Sequence, residues 1–136
     1  MLLRQQPQTK RPGFTLMEIM VVVAIILILA SAGVVVYTTM LADTRVNRAR
    51  LDVKSLDQAI TAYYLRKHYY PETLWVLTER DPVDNSPALL KDATALNDPW
   101  NIPYNYEPQN LNPKTDKPLI WTAGPPNSNM RITNWD

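Results

Sequence analysis

A chain of 136 residues with a formal charge of +1 has room for one domain and an appendage, and its near-neutral balance excludes the basic footprint that nucleic-acid binding needs. It has no cysteine, which excludes disulfides, cysteine-ligated metals and a thiol nucleophile. Most of its 12 prolines follow Tyr70 and it has only 3 glycines, so the first half suits one long helix and the second half suits turns and short extended pieces.

A basic leader with Arg4, Lys10 and Arg11 comes first, and Gly13, Phe14 and Glu18 then open an apolar run. Residues 19–36 are 18 positions without a charge. As a helix they measure about 27 Å, close to a hydrocarbon core of roughly 30 Å. Their β-branched residues do not argue for a strand, because in lipid a helix satisfies its own backbone groups. The leader on one side and Asp43 beyond the other favour an orientation with the N-terminus on the cytoplasmic side. A soluble body of about 100 residues is too small to wrap a helix that is apolar on every face. The alternative is an ordinary secretory signal, cleaved after Ala32 in Ala30-Ser31-Ala32, which would release a soluble binding protein or enzyme. Against it, the run is longer than the usual signal and Glu18 stands where signals are uncharged.

A carboxylate costs about 3 kcal/mol at the bilayer centre and less near the interface. Headgroup depth is the plain reading of Glu18. A cut between Gly13 and Phe14, however, would place a new α-amine four residues before it. Amine and carboxylate could then neutralise one another, within one chain or between neighbours.

Beyond the apolar run, Ala42, Val46, Ala49, Val53, Leu56, Ile60 and Tyr63 recur at alternating spacings of 4 and 3. That stripe predicts a continuous helix from about Phe14 to His68, about 80 Å long. It can seam a coiled coil or lie against the domain's own sheet, and the second is favoured because two alanines make a thin zipper. Arg45, Arg48, Arg50, Asp43, Asp52 and Asp57 lie largely off the stripe. They read as a solvated face, as partners for charges on a neighbouring subunit, or, for the arginines, as contacts to lipid headgroups.

Tyr69-Tyr70-Pro71 is expected to end the helix. Leu74, Val76, Leu77, Leu89, Leu90 and Leu96 read as a loop with a short helix packed over the body. Residues 102–106 and 119–122 are the best strand candidates, with Ile132 a weaker third, and the polar stretch 108–118 is the expected hairpin connection. The fold class is α+β, a long spine helix on a small antiparallel sheet. His68, the only histidine, sits at the helix end, and Asp81, Asp84 and Asp92 are scattered among prolines. These sets do not make a catalytic or metal-ligating constellation, so the chain is not expected to be an enzyme. Trp75, Trp100, Trp121 and Trp135 are expected to anchor a small core rather than line a sugar site.

The series Gly13, Phe14-Thr15-Leu16-Met17-Glu18 and apolar run resembles the class III signal of type IV pilins and pseudopilins. Tyr70-Pro71, Asp98-Pro99-Trp100-Asn101-Ile102-Pro103-Tyr104, Gly124-Pro125 and Asn134-Trp135 follow in an order similar to the G-type major pseudopilin of type II secretion systems. The resemblance covers nearly all of the chain from Gly13. It implies prepilin peptidase cleavage between Gly13 and Phe14, N-methylation of Phe14, and a role for Glu18 in assembly. It implies a leader over 1–13, a transmembrane part of the spine over 14–40 and a periplasmic domain over 41–136. The expected location is the inner membrane, in a single pass. The expected partners are further copies in a homopolymer, minor pseudopilins, the peptidase, membrane lipid, and an assembly platform with its cytoplasmic ATPase. The alternative within the superfamily is a type IV pilin or minor pilin, against which the missing cysteine pair and the Asp98 motif count. The chain departs from the family at Leu27 and Val35, where glycine and proline are usual, and so predicts a more regular membrane helix. Many G-type members bind calcium after the Gly-Pro. Here Pro126 stands where the first aspartate is expected, Arg131 lies close to a later one, and no Asp or Glu occurs between Asp116 and Asp136. Calcium needs several oxygen ligands, so no cofactor is expected, and Trp135 with the prolines is expected to hold the loop.

Overall fold

Thr15 starts the main element. In the computed structural model, which describes residues 13–135, helix α1 spans Leu16–Lys67. The leader cations Arg4, Lys10 and Arg11 lie outside the described residues. The Thr15 hydroxyl accepts the Glu18 backbone N–H at 3.2 Å, and the Thr15 carbonyl accepts the Ile19 N–H at 3.3 Å. Thr-x-x-Glu is the capping-box spacing, and the carboxylate in the first turn complements the helix dipole. The helix runs without a break through Leu27, Gly33 and Val35, as the missing loosening residues predict.

The helix ends at Lys67, earlier than Pro71 alone would require. His68 takes a left-handed conformation (φ 62°), and its N–H reaches the Tyr64 carbonyl at 2.7 Å. This closes the last turn as a left-handed cap does. The leucine-rich loop that follows forms two 3-10 helices, Leu74–Thr78 and Ala93–Leu96, the second capped by the Asp92 side chain.

Three antiparallel strands follow in the order β1-β2-β3: β1 Asn105–Leu111, β2 Pro118–Thr122 and β3 Ile132–Thr133. The second and third fall where the residue pattern places them. The first is displaced toward the C-terminus and includes Pro108, so the hairpin connection is shorter than 108–118. Its register shifts between Glu107 and Leu111, an irregularity of the edge strand. Edge strands and bulges are where a proline without its N–H is tolerated.

The chain divides into two compact units between Thr39 and Met40. In the second, one core joins Ala49, Val53, Leu56, Ala59 and Ile60 of α1 to Leu74 and Leu77, Leu90, Tyr104, Ile120 and Ile132. The helical stripe therefore lies against its own domain. Val46 and Tyr63 are at its margins and Ala42 is exposed. Burying Leu56, Ile60, Leu77 and Ile120 contributes about 1.5–3 kcal/mol each. Of the four tryptophans expected to anchor this core, Trp100 packs against it from the margin. Trp75 is 53% exposed, and Trp100, Trp121 and Trp135 are only half-buried.

Candidate functional site

The first unit presents apolar surface on every face. Leu27, Leu29, Val34, Val35 and Val36 are all more than half exposed, and the most apolar 18-residue window of α1 has none of its residues buried. By length and composition this helix can cross a membrane. The hydroxyls of Ser31, Thr38 and Thr39 are satisfied within the helix. Ser31 donates to the Ile28 carbonyl at 2.8 Å, Thr38 to Val35 at 3.0 Å and Thr39 to Val36 at 2.9 Å. Such back-bonding lets polar side chains sit in lipid without an orphaned donor. Ala30-Ser31-Ala32 lies inside α1, with no break that marks a boundary.

Gly13, Phe14 and Thr15 precede the helix and have no regular secondary structure. Phe14 is 81% exposed, and Glu18 is exposed in the first turn. The three sequence-predicted site residues thus gather at the start of the apolar element, with the bond between Gly13 and Phe14 outside the helix.

The second unit turns the C-terminal motifs into polar ties. Asp98 is buried. Its Oδ1 accepts the backbone N–H groups of Trp100 (3.0 Å) and Ile102 (2.9 Å), and its Oδ2 accepts the Thr122 hydroxyl (2.5 Å). Pro99 and Asn101 (φ 64°) complete a turn closed by the Asn101 N–H on the Asp98 carbonyl at 2.9 Å. Proline and asparagine supply the conformations that turn requires. Thr122 in turn accepts the Gly124 N–H at 3.2 Å, so one carboxylate links the Asp98 turn, β2 and the start of the Gly-Pro loop.

Asn134 is the second tie. Its side-chain oxygen accepts the Ile120 N–H at 2.9 Å, and its amide donates to the Pro118 carbonyl and to Asp57 Oδ1, each at 2.9 Å. The other Asp57 oxygen meets Lys117 Nζ at 2.6 Å. Asp57 therefore does not belong to a solvated face but joins the helix to the sheet. Asp52 likewise accepts the Tyr104 hydroxyl at 3.3 Å. Burial, and then the Asp52 charge, push the Tyr104 phenol well above its ordinary value. Tyr106 donates to the buried Pro71 carbonyl at 2.9 Å, fixing the Tyr70-Pro71 corner on β1.

A third tie, not predicted from the sequence, closes the helix end. Lys67 Nζ lies 2.6 Å from Asp81 and 3.2 Å from Asp84. Asp81 keeps its carboxyl below the usual range, through Lys67 first and the Val83 N–H next. Ser86 first, and then Lys67, lower that of Asp84 to about 2. The signal for this tie was local, since Asp-Pro and Asp-Asn-Ser are turn chemistry, but its lysine partner is distant in sequence.

Among the described residues no three His, Cys, Asp or Glu side chains gather as a metal site. The 123–131 loop offers Pro126 and Arg131 rather than carboxylates, a donor set that does not fit calcium. Its contacts run through Ser128, whose N–H reaches the Pro125 carbonyl (3.1 Å) and whose hydroxyl accepts the Met130 N–H (3.3 Å). Gly124 (φ 71°) packs close to Met130, and Arg131 lies over Trp121.

The family model for type II secretion system (T2SS) protein G matches residues 37–129, and the prokaryotic N-terminal methylation motif matches residues 8–34. A type II secretion system core protein G of Pseudomonas aeruginosa is 31% identical over 141 residues, covering 93% of this chain and 96% of the relative. One from Pectobacterium carotovorum is 34% identical over 140 residues, covering 93% and 86%. A type IV major pilin protein of Neisseria gonorrhoeae is 39% identical, but over 64 residues that cover 47% of this chain and 30% of the pilin. No solved structure matches the chain. The matches along nearly the full length, and not only over part of it, separate the secretion subunit from the pilins. The chain belongs to the type II secretion system protein G family and is a pilin-like structural subunit of a pseudopilus, anchored in the inner membrane by its N-terminal apolar helix.

Proposed function

We propose that this subunit polymerises through its N-terminal helix after prepilin peptidase removes residues 1–13 and the new terminus, Phe14, is methylated. Residues 14–40 then form the transmembrane part of the spine and 41–136 the periplasmic domain, the leader having faced the cytoplasm before processing. In a growing filament the Phe14 amine of one subunit meets the Glu18 carboxylate of a neighbour, which sets the axial register. Extension of the filament drives folded proteins outward. The chain carries out no bond chemistry itself, and a cytoplasmic ATPase acting through an inner-membrane platform supplies the work, with minor pseudopilins as further partners.

The observation that carries this reading is an apolar helix with no buried residue in its most apolar stretch and an exposed carboxylate in its first turn. Such a surface needs lipid before assembly and other helices after it. Mass spectrometry of the mature protein from membranes tests it. The expected N-terminus is methylated Phe14, whereas a terminus at Gly33 would identify a secretory signal and end the proposal.

The domain holds its C-terminal loop without calcium, because the carboxylates that calcium requires are missing from 117–135. Chelation is therefore expected to leave the melting temperature of the full chain in detergent unchanged. A drop of several degrees on chelation, reversed by calcium, contradicts this.

A further inference from the structure

Strand alternation sends Tyr106, Ile120, Thr122 and Ile132 to the face that packs on α1 and turns Glu107 and Trp121 to the other. On that outer face the Arg131 guanidinium lies 4.4 Å from the Trp121 ring centroid. Trp121 Nε1 donates to Glu107 Oε1 at 2.9 Å, and Asn110 donates to the other Glu107 oxygen at 2.8 Å. An indole that donates to a carboxylate has a more electron-rich face, which strengthens its attraction for a cation stacked on it. Asn110 first, then Trp121, with a further contribution from Arg131, hold the Glu107 carboxyl below its usual range, so the acceptor stays ionised.

The position of this stack gives it a role. The 123–131 loop is tied to the sheet at its start by the Gly124 N–H on Thr122. The Ser128 bonds tie the loop to itself. Arg131 is the last loop residue before β3, whose Ile132 enters the core opposite Thr122. Its side chain returns across the sheet to Trp121, the residue that pairs with Thr133.

We propose that Arg131 is the positioning residue of the C-terminal loop: its guanidinium, stacked on Trp121 and steadied through that indole by Glu107, fastens the loop's end to the sheet and holds β3 in register. The proposal deepens the calcium-free reading of the loop and rests on it, since the fastening cation is supplied by the chain itself. Arg131→Gln keeps a polar side chain of similar reach and removes the charge, whereas Arg131→Lys keeps the charge.

Hydrogen exchange read by mass spectrometry on the full chain in detergent micelles, with calcium or with chelator, tests it. Arg131→Gln is expected to speed exchange of the 123–133 amides about two- to fivefold, with residues 49–60 of the helix unchanged. Arg131→Lys is expected to restore part of that protection, and neither calcium nor chelator to alter any variant. Wild-type exchange in Arg131→Gln would overturn the role of Arg131 and leave the calcium-free reading standing. Protection of the wild-type loop by calcium would overturn the calcium-free reading and the proposal with it. If Arg131→Gln loosens the whole domain, Arg131→Lys decides: recovered protection supports the cation, and equal loss overturns it.

Discussion

Asp98 has two side-chain oxygens and three donors directed at them: two backbone N–H groups and a hydroxyl. Its Asp-Pro-Trp-Asn setting was visible in the sequence only as a motif of the family resemblance. That the same carboxylate also reaches Thr122, 24 residues on, was not, because pairing across a sheet is invisible to local spacing. Removing the carboxylate leaves those donors in a buried site, where each unsatisfied group costs about 1–3 kcal/mol. Asp98→Ala is therefore expected to destabilise the folded domain by about 3 kcal/mol or more, measured as a shift in urea midpoint. A change below about 0.5 kcal/mol, the size of an ordinary surface substitution, contradicts this account of the motif. Asp57 and Asn134 follow the same logic. Each looked like a surface or terminal residue from its neighbours in sequence, and the fold brings them together across 77 residues.

At the scale of elements, legibility followed periodicity. Ala49, Val53, Leu56 and Ile60 repeat regularly, and all four are buried where the pattern places them. Strand β1 was less legible because it is an edge strand with an irregular register and an internal proline, features that weaken alternation. The segment after α1 was least legible, since its order depends on charge. Lys67 holds Asp81 and Asp84, and its own pKa is raised, chiefly by Asp81. The two carboxyls are depressed, so their contribution is present above the usual carboxylate range near 4 and is lost as pH falls toward about 2. The lysine is raised, so its contribution is complete below about 10.4 and is lost as pH rises through its folded value. Exchange protection at the 81–86 turn, whose Asp81 N–H bonds the Ser86 carbonyl at 3.1 Å, is expected to form a plateau between those limits. Lys67→Met should remove the alkaline limb of that plateau and weaken its acid limb, where Ser86 still lowers Asp84, while leaving the 49–60 amides protected. A pH profile in the variant identical to wild type would remove the latch.

At the scale of the molecule, two units meet opposite demands. One keeps its apolar residues outside, and the other encloses a core stapled by polar ties. The first suits an environment of lipid or of other helices, and the second a shape that stays constant while subunits join. Family membership makes both parts of one building block, and we propose that its copies join through the apolar helix, in register through Glu18. Electron cryo-microscopy of filaments assembled from this chain tests it most directly. Residues 16–40 are expected to pack against one another at the filament centre, with each Glu18 carboxylate within hydrogen-bond distance of a neighbour's Phe14 amine. Filaments held by the 41–136 domains alone, with the apolar helices apart and Glu18 away from every amine, would contradict it.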